Sequence, residues 1–479
     1  MFPRHRPSAD RRVLGVAAVG TMLSLVSFTA PLATINAISQ SLSADVAGRT
    51  WILSSMSIGL GAALLTAGTI ADDRGRRRTF VVGLLVLAVA SVAGAVAPSA
   101  PGFVAARIVQ GVGAAAVIAS SLGLIAHQFP AGPARAAASG VWGASVGAGI
   151  TVGPLLAAGL DHQTAWASWR DVYVVVAVVA AALATFARRG IEESRAHESR
   201  PLDLVGAGLL ATGLSAFLAA LVEGRQAWAR PVVVLLFAAA AVLLAGFVRA
   251  ELRSTHAMLD LRLFGRADFV VATVAAFTTG AGAIALFSYL SGFLGQALGV
   301  PALGAAVLMT AWSATSVVTA LLARRLPARL SGRTQLGIGL LGVAAGQLTM
   351  TRVTESSGWS AFLPGLLLAG VFSGMVNAAL GREAVASVPE GRAALGSGAN
   401  NTARYVGSAV GVTVVAVVAS STSLPGAGVS GLVHGWNVAA LVTALVSVAG
   451  GVVALVLRPT APTPALSLAP PVVEPAARD

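Results

Sequence analysis

The stretch Gly68-Thr-Ile-Ala-Asp-Asp-Arg-Gly-Arg-Arg-Arg78 is the feature from which the arrangement of the rest of the chain can be predicted. It joins two long apolar runs, 51–70 and 79–98, and places two acids and four arginines between them. A hinge this short and this charged cannot lie in hydrocarbon, so we predict a tight turn at one face of a membrane. Loops rich in arginine and lysine stay on the cytoplasmic side, and this rule orients the neighbouring spans.

The composition excludes a water-soluble globular protein. The chain has 479 residues, of which 56% are hydrophobic and 11% are charged, with a mean hydropathy of +0.82. Soluble domains carry about 25% charged residues. Apolar runs of about 20 residues recur throughout, and each is long enough as a helix to cross a hydrocarbon core of about 30 Å. We therefore expect an all-α polytopic membrane protein embedded in a lipid bilayer.

The net charge of +13 does not indicate a nucleic-acid partner, because the basic residues are scattered over short loops between apolar runs. The chain has no cysteine, which excludes disulfides and thiolate metal sites. Its six histidines lie in tails, loops or span ends and lack the spacing of metal ligands. We expect neither a metal nor a cofactor.

The apolar runs form a block of six spans, a pair of spans and a second block of six. The predicted spans are 13–37, 51–70, 79–98, 102–126, 136–160, 171–187, 204–222, 231–249, 268–292, 302–323, 334–351, 361–381, 403–422 and 434–456. We expect a cytoplasmic tail at 1–12, a six-helix bundle at 13–187, connectors and a two-helix insert at 188–267, a second six-helix bundle at 268–457, and a disordered cytoplasmic tail at 458–479. A second basic loop, 324–333, follows the second span of the last block, just as the first basic loop follows the second span of the first block. This correspondence favours a duplicated architecture.

The arginines orient this map. With the N-terminus in the cytoplasm, most arginines fall on the cytoplasmic side, and the predicted external loops hold Arg49, Arg170, Arg225, Arg230 and Arg352. If the map omitted one real span, every later loop would be assigned to the wrong side of the membrane and the bias would disappear. The bias therefore supports an even number of spans. We expect a multi-pass protein of a bacterial-type cell membrane with both termini in the cytoplasm.

The opening stretch resembles the signature loop of the major facilitator superfamily, and the chain as a whole resembles its fourteen-span drug:proton antiporters. The residues in register with the signature are Gly68, Asp72, Gly75, Arg76 and Arg77. Asp73 departs from the pattern, because the family usually has arginine there, and Arg74 follows one place later. The resemblance implies that this loop, Asp73 included, is a conformational latch that steadies one state of the transporter. Physically, the glycines allow close packing and a tight turn, and the acid can pair with arginine or with a helix N-terminus.

Arg107 and Gln110 lie inside the fourth span in a stretch that resembles the family's second signature. An arginine within a span normally faces a wet cavity or a partner, which makes it a functional-site candidate. Snorkelling of Arg107 to the interface is the alternative, because it lies about five residues from the end of the predicted span. The resemblance implies a role for this pair in proton coupling, through the protonation of a nearby acid.

The fifth span carries a glycine pattern that resembles the antiporters' own signature. Its residues are Gly140, Gly149, Gly153 and Pro154. Glycines on one face permit close helix crossing, and a proline favours a kink. The pattern is partial, because Ala157 and Ala158 stand where the family has a glycine pair.

The first span lacks the acid that the resemblance leads one to expect. Ser27 stands where the fourteen-span branch usually carries aspartate, and all the acids lie outside the middle of the predicted spans. A buried carboxylate is the simplest carrier of a coupling proton. Coupling therefore uses either an acid at a span end near Arg107 or a different mechanism, and lipophilic cations become weaker substrate candidates.

Polar and aromatic residues in the spans are candidates for a substrate cavity, since an apolar pocket with a few polar groups suits an amphiphilic ligand. The candidates are Asn36, Trp142, Tyr289, Trp312, Gln347, Asn377, Asn401 and Arg404. Each polar residue taken alone is also compatible with hydrogen bonding between helices.

These features predict a secondary active transporter in which two bundles alternate access to a central cavity, exporting an amphiphilic drug or secondary metabolite as protons enter. We expect a monomer. A facilitator or importer of a small metabolite is the alternative within transport, and a membrane scaffold is the alternative outside it. An enzyme is not indicated, because the chain has neither a His-Glu-x-x-His motif nor a phosphate-binding Gly-x-x-x-x-Gly-Lys loop.

Overall fold

The computed structural model describes residues 7–163, 168–196, 201–254, 257–326, 330–421 and 428–457, and all regular elements in these ranges are helical. The first block contains α1 Pro7–Thr29, α2 Pro31–Ser41, α3 Val46–Arg74, α4 Arg76–Ala95, α5 Ala100–Gln128, α6 Pro133–Gln163 and α7 Asp171–Gly190. The insert contains α8 Leu204–Gly224 and α9 Pro231–Arg253. The last block contains α10 Ala267–Thr278, α11 Ala285–Leu298, α12 Ala302–Leu322, α13 Gly332–Thr349, α14 Leu363–Ala386, α15 Ala393–Ser421 and α16 Gly428–Val456. The tail predicted at 458–479 lies outside the described residues.

Each predicted span coincides with helix. Within the described ranges, 13 helices are long and apolar enough to cross a membrane, counting α10 to α11 as one. The remaining predicted span, 334–351, coincides with α13, which is not among these 13; its first turn is polar, and its 18 residues pack between α14 and α16. The helices extend beyond the predicted apolar runs because polar turns continue them; the span predicted at 51–70 is the helix Val46–Arg74.

The first span of each bundle is interrupted, which the predicted continuous spans 13–37 and 268–292 did not anticipate. In the N-terminal bundle α1 ends at Thr29 and α2 begins at Pro31, a residue that has no N–H to donate. In the C-terminal bundle a π-helical turn, Thr279–Ile284, separates α10 from α11. Such turns insert an extra residue into the helical ladder and occur often at functional sites.

Small residues allow the helix backbones to touch. A Cβ atom at Gly111 of α5 would lie 2.9 Å from the Cα of Gly59 in α3. One at Gly346 of α13 would lie 2.7 Å from the backbone nitrogen of Ala369 in α14. Between helices in lipid, attraction comes mainly from such close packing. The abundance of glycine and alanine in the sequence is therefore part of the packing.

The two bundles meet along two seams. In one seam α3 packs against α15, and in the other α6 packs against α12 and α14. The insert lies beside the first seam, because α8 contacts both α3 and α15. We call the end of the molecule that carries the α3–α4 turn the arginine-rich end, since Arg188 and Arg189 at the end of α7 lie there too.

Candidate functional site

The turn between α3 and α4 is a single residue. Gly75 has φ +125°, a value that favours glycine, and the two helices end and begin on either side of it. The carboxylate of Glu193 lies against it, accepting the N–H groups of Arg77 and Arg78 at 3.0 Å each. A Cβ atom at Gly75 would lie 2.7 Å from the carboxylate carbon of Glu193. The glycine is thus required both by its backbone angle and by this contact.

The connector after α7 runs along this turn and holds it. The N–H of Arg76 donates to the carbonyl of Ser194 at 2.8 Å, and the N–H of Ala196 donates to the carbonyl of Asp72 at 2.7 Å. The guanidinium of Arg77 donates to the carbonyl of Ile191 at 3.1 Å and so stays within its own bundle. This role of the connector could not be predicted from the sequence, because its carbonyl and N–H groups contact residues more than 100 positions away in the chain.

Asp72 joins the two bundles. Its fully buried carboxylate accepts the guanidinium of Arg76 at 2.8 Å and the N–H groups of Leu395 and Ala394 at 2.8 and 3.3 Å. These two N–H groups belong to the first turn of α15, where helix backbones have unpaired donors and positive potential. Arg76 also reaches across the seam, donating to the carbonyl of Gly391 at 2.7 Å. One carboxylate therefore serves an arginine of its own bundle and a helix end of the other.

Asp73, the departure from the family pattern, also bridges the bundles. Its carboxylate lies 2.7 Å from the guanidinium of Arg392, and both side chains are buried. Arg74, the nearest arginine in sequence to the family's position, is exposed. Arg392 immediately precedes α15. The pairing could not be predicted, because Asp73 and Arg392 are more than 300 residues apart in the chain.

The backbones of α3 and α15 touch beside these charges. A Cβ atom at Gly68 would overlap the carbonyl oxygen of Ala394 and lie 3.1 Å from the Cα of Leu395. One at Gly398 would lie 3.1 Å from the Cα of Leu65. The carboxylate of Asp72 can reach the N–H groups of α15 because no side chain separates the two helices here.

Arg107 does not snorkel, because its side chain is completely buried. It donates to the carbonyl oxygens of Ser27 at 2.6 Å and Phe28 at 3.2 Å, and to the side-chain oxygen of Gln110 at 3.1 Å. Gln110 in turn donates to the hydroxyl of Ser91 at 2.9 Å. All the acceptors that the structure gives Arg107 are neutral, and Ser27 contributes its backbone carbonyl.

The break between α1 and α2 explains these acceptors. In a continuous helix the carbonyl of Ser27 would accept the N–H of residue 31, but Pro31 has none. The carbonyls in the last turn of a helix are unpaired in the same way. Arg107 therefore supplies two hydrogen bonds that the interruption of the first span removes.

The glycine pattern of α6 serves two interfaces. A Cβ atom at Gly140 would lie 2.8 Å from the carbonyl oxygen of Ala320 in α12, across the second seam. One at Gly149 or Gly153 would lie 2.6 or 2.8 Å from a carbonyl oxygen of α1, within the N-terminal bundle. Pro154 follows inside the same helix. The motif therefore holds α6 between the first span and the opposite bundle.

The substrate-cavity candidates are spread over several interfaces. Four of them make hydrogen bonds: Trp142 donates to Ser121 at 2.9 Å, Trp312 to Ser373 at 3.0 Å and Asn401 to the carbonyl of Ser397 at 2.9 Å, and Gln347 accepts from Ser447 at 2.8 Å. Two contact aromatic rings: Tyr289 stacks on Trp436, and Arg404 lies over the ring of Tyr405. Asn377 is buried and Asn36 is exposed. None of them lines the cavity of about 520 Å³ beside α8 or that of about 260 Å³ beside α15. Three of them, Trp142, Trp312 and Gln347, make hydrogen bonds between helices, the role that the alternative interpretation gives such residues.

The second seam is tightly closed toward the arginine-rich end. A Cβ atom at Gly143 would lie 2.9 Å from the backbone nitrogen of Ala378, and one at Gly381 would lie 3.0 Å from the ring of Trp142. At the first seam the hydroxyl of Ser397 in α15 donates to the carbonyl of Ile118 in α5 at 3.3 Å. The two bundles are thus in backbone contact on the same side as the Asp72 network.

Curated relatives match most of the chain. It is 30% identical over 372 residues to the multidrug resistance protein Stp of Mycobacterium tuberculosis, covering 78% of this chain and 68% of Stp. It is 31% identical over 414 residues to a probable actinorhodin transporter of Streptomyces coelicolor, covering 84% and 71%. It is 32% identical over 409 residues to the puromycin resistance protein pur8 of Streptomyces alboniger, covering 82% and 80%.

Solved structures share the fold at lower identity. The human organic anion transporter MFSD10 superposes with a TM-score of 0.64 at 18% identity, covering 91% of this chain and 99% of that one. The proton:xylose symporter XylE superposes with a TM-score of 0.67 at 14% identity, covering 92% and 95%. The family model described as Major Facilitator Superfamily matches residues 17–412 and again 272–476. The chain therefore belongs to the major facilitator superfamily.

Proposed function

We propose that this chain exports amphiphilic small molecules, drugs or secondary metabolites, in exchange for protons. The observation that carries the proposal is the similarity over most of the chain to relatives named for multidrug resistance, actinorhodin transport and puromycin resistance. The family is one of transporters, and two bundles joined by two seams suit alternating access around a central substrate.

We place the arginine-rich end in the cytoplasm of a bacterial-type cell, following the bias of arginine in membrane loops. Both chain termini then lie on that side, and the protein acts as a monomer. In this orientation the Asp72 network closes the molecule toward the cytoplasm. The structure then corresponds to the state from which a substrate leaves outward and a proton enters.

The proposed latch consists of Asp72, Asp73, Arg76 and Arg392, supported by Gly68 and by the turn at Gly75. The contacts that support it are the carboxylate of Asp72 on the first turn of α15 and the ion pair between Asp73 and Arg392. Breaking a buried ion pair costs about 3–5 kcal/mol, because the remaining partner is left without compensation. Such a network can therefore set the balance between two states that differ by a few kcal/mol.

The buried charges bear on the substrate class. Among the described residues no carboxylate forms an ion pair with Arg107 or Arg404, and both side chains are buried. A transported cation would add positive charge to a region that already holds two arginines, whereas a neutral or acidic amphiphile would not. We therefore propose neutral or acidic amphiphiles as substrates. Arg107 and Gln110 would contribute to coupling through the position of the α1–α2 break.

Efflux from proteoliposomes tests the function. The full chain is reconstituted, a panel of fluorescent drugs and acidic metabolites is loaded, and flux is followed with an imposed pH gradient and with a protonophore. We expect gradient-dependent export that the protonophore abolishes and that Arg107→Ala removes. The exposed Arg188→Ala variant serves as the control for loss of an arginine. Flux that ignores the gradient would indicate a facilitator, and no flux or ligand-dependent stabilisation across the panel would indicate a scaffold.

A further inference from the structure

A groove separates the N-terminal bundle from the two-helix insert. It has a volume of about 520 Å³ and lies between α3, α4, α5 and α8. Its walls include the alanines Ala62, Ala63, Ala67, Ala116, Ala207 and Ala211. These alanines, on α3, α5 and α8, leave a space that leucine or phenylalanine would fill. None of the residues assigned to the latch or to the substrate cavity lines it.

The mouth of the groove is cationic. Arg74 and Arg78 line it at the arginine-rich end, both are exposed, and the structure gives neither guanidinium an ion pair among the described residues. Two carboxylates of the connector between α7 and α8 are otherwise engaged. Glu193 accepts backbone N–H groups of α4, and Asp203 accepts the N–H of Gly206 at 2.7 Å in the first turn of α8. The two arginines are therefore available to an anion outside the protein.

The interior of the groove is apolar and has the depth of one lipid leaflet. From Arg74 to Ala62 the wall of α3 runs twelve residues, or about 18 Å at 1.5 Å per residue. Half of a hydrocarbon core is about 15 Å. A flexible hydrocarbon chain is the occupant that matches an apolar slot of this length.

We propose that this groove binds an anionic glycerophospholipid. Its phosphate lies between Arg74 and Arg78, and one acyl chain lies along the alanines of α3 and α8. Basic residues close to the membrane surface each strengthen the binding of anionic lipids several-fold, and basic pockets between helices are sites for such head groups. The site is independent of the transported substrate, so it stands or falls separately from the proposed export. Because Arg74 precedes Gly75, a bound lipid also restrains the helix end next to the turn.

Native mass spectrometry of the full chain tests the proposal. The protein is titrated in detergent with phosphatidylglycerol and with phosphatidylcholine of the same acyl chains. We expect the first phosphatidylglycerol to bind at least about fivefold more tightly than phosphatidylcholine, and the preference to disappear in Arg74→Gln/Arg78→Gln. The matched control is Arg188→Gln/Arg189→Gln, which removes the same charge from exposed positions at the end of α7 and should keep the preference.

A second pair of variants tests the acyl-chain slot. Ala207→Phe/Ala211→Phe fills the wall of α8 and should weaken binding of phosphatidylglycerol at least about fivefold, whereas Ala239→Phe on the exposed face of α9 should not. Glycerol 3-phosphate, which has the head group without the chains, should fail to displace the lipid. The proposal is overturned if the wild type shows no preference, if the Arg188/Arg189 control loses it equally, or if glycerol 3-phosphate displaces the lipid at matched concentration.

Discussion

The two bundles each carry a basic loop between their second and third spans, yet the loops make different contacts. In the N-terminal loop Asp72 reaches the first turn of α15 in the opposite bundle. In the C-terminal loop Arg333 donates to the carbonyls of Ala454 and Leu455 at 2.6 and 2.8 Å, at the end of α16 in its own bundle. The N-terminal loop thus places an anion at a helix N-terminus of the opposite bundle, and the C-terminal loop places a cation at a helix C-terminus of its own bundle.

The comparison separates two uses of arginine that look alike in sequence. Positive charge in either loop favours the cytoplasmic side of a membrane, because this preference depends on charge and not on partners. Joining the bundles depends in addition on a carboxylate at the end of α3 and on glycine at the contact with α15. Equal substitutions in the two loops should therefore have unequal effects, and the following variants are chosen to test that asymmetry.

The largest effect is expected from Asp72→Asn. The amide cannot replace the charge that Arg76 and the first turn of α15 share, so the closed state should lose about 3 kcal/mol, or about 100-fold in the opening equilibrium. Because the chain has no cysteine, spin labels can be placed at Arg188→Cys and Ala386→Cys, exposed on opposite bundles. The distance between them should lengthen in Asp72→Asn. An unchanged distance distribution would remove Asp72 from the latch.

The next effect is expected from charge reversal at Asp73. In Asp73→Arg two arginines would face each other across the seam, and gradient-driven export should fall at least about tenfold. The double variant Asp73→Arg/Arg392→Asp restores opposite charges at the same positions and should recover most of the export. Failure of the double variant to exceed Asp73→Arg would show that the pair does not act through its charge.

A smaller effect is expected from adding one methyl group at a glycine of each loop. At Gly68 the new Cβ meets the backbone of Ala394, which cannot rotate away, so Gly68→Ala should cost about 1–3 kcal/mol of the closed state. At Gly332 it meets the ends of the Glu383 and Arg382 side chains, which can move. Export and thermal stability of both variants give the comparison. Equal losses would contradict the distinction between a backbone contact and a side-chain contact.

The smallest effect on transport is expected from Arg333→Gln. Its two hydrogen bonds end on α16, so their loss should lower thermal stability by about 1–2 kcal/mol while export stays within about twofold. Thermal unfolding in detergent and export from proteoliposomes measure the two quantities. A tenfold loss of export with an unchanged labelled distance would mean that the C-terminal loop also takes part in the transport cycle.

The sequence predicted the helices more completely than the contacts between them. Each apolar run of span length coincides with a helix in the described residues, because such a run reflects a local requirement of the bilayer. The turn at Gly75 was foreseen for the same reason. Arg392 and Glu193 were missed, since each acts on a loop more than 100 residues away. The π-helical turn at 279–284 could not be predicted, because two glycines are the only unusual feature of the sequence there.

The interruption of the first span allows the role of Arg107 to be tested with a suppressor mutation. Pro31 removes a backbone donor and Arg107 supplies a replacement, so the two residues form a compensating pair. If the arginine serves only this purpose, Pro31→Ala should suppress the stability defect of Arg107→Ala and restore export together with it. If it also serves proton coupling, the double variant should fold like the wild type and still fail to respond to the pH gradient. One suppressor experiment thus separates the folding requirement of a buried charge from its part in transport.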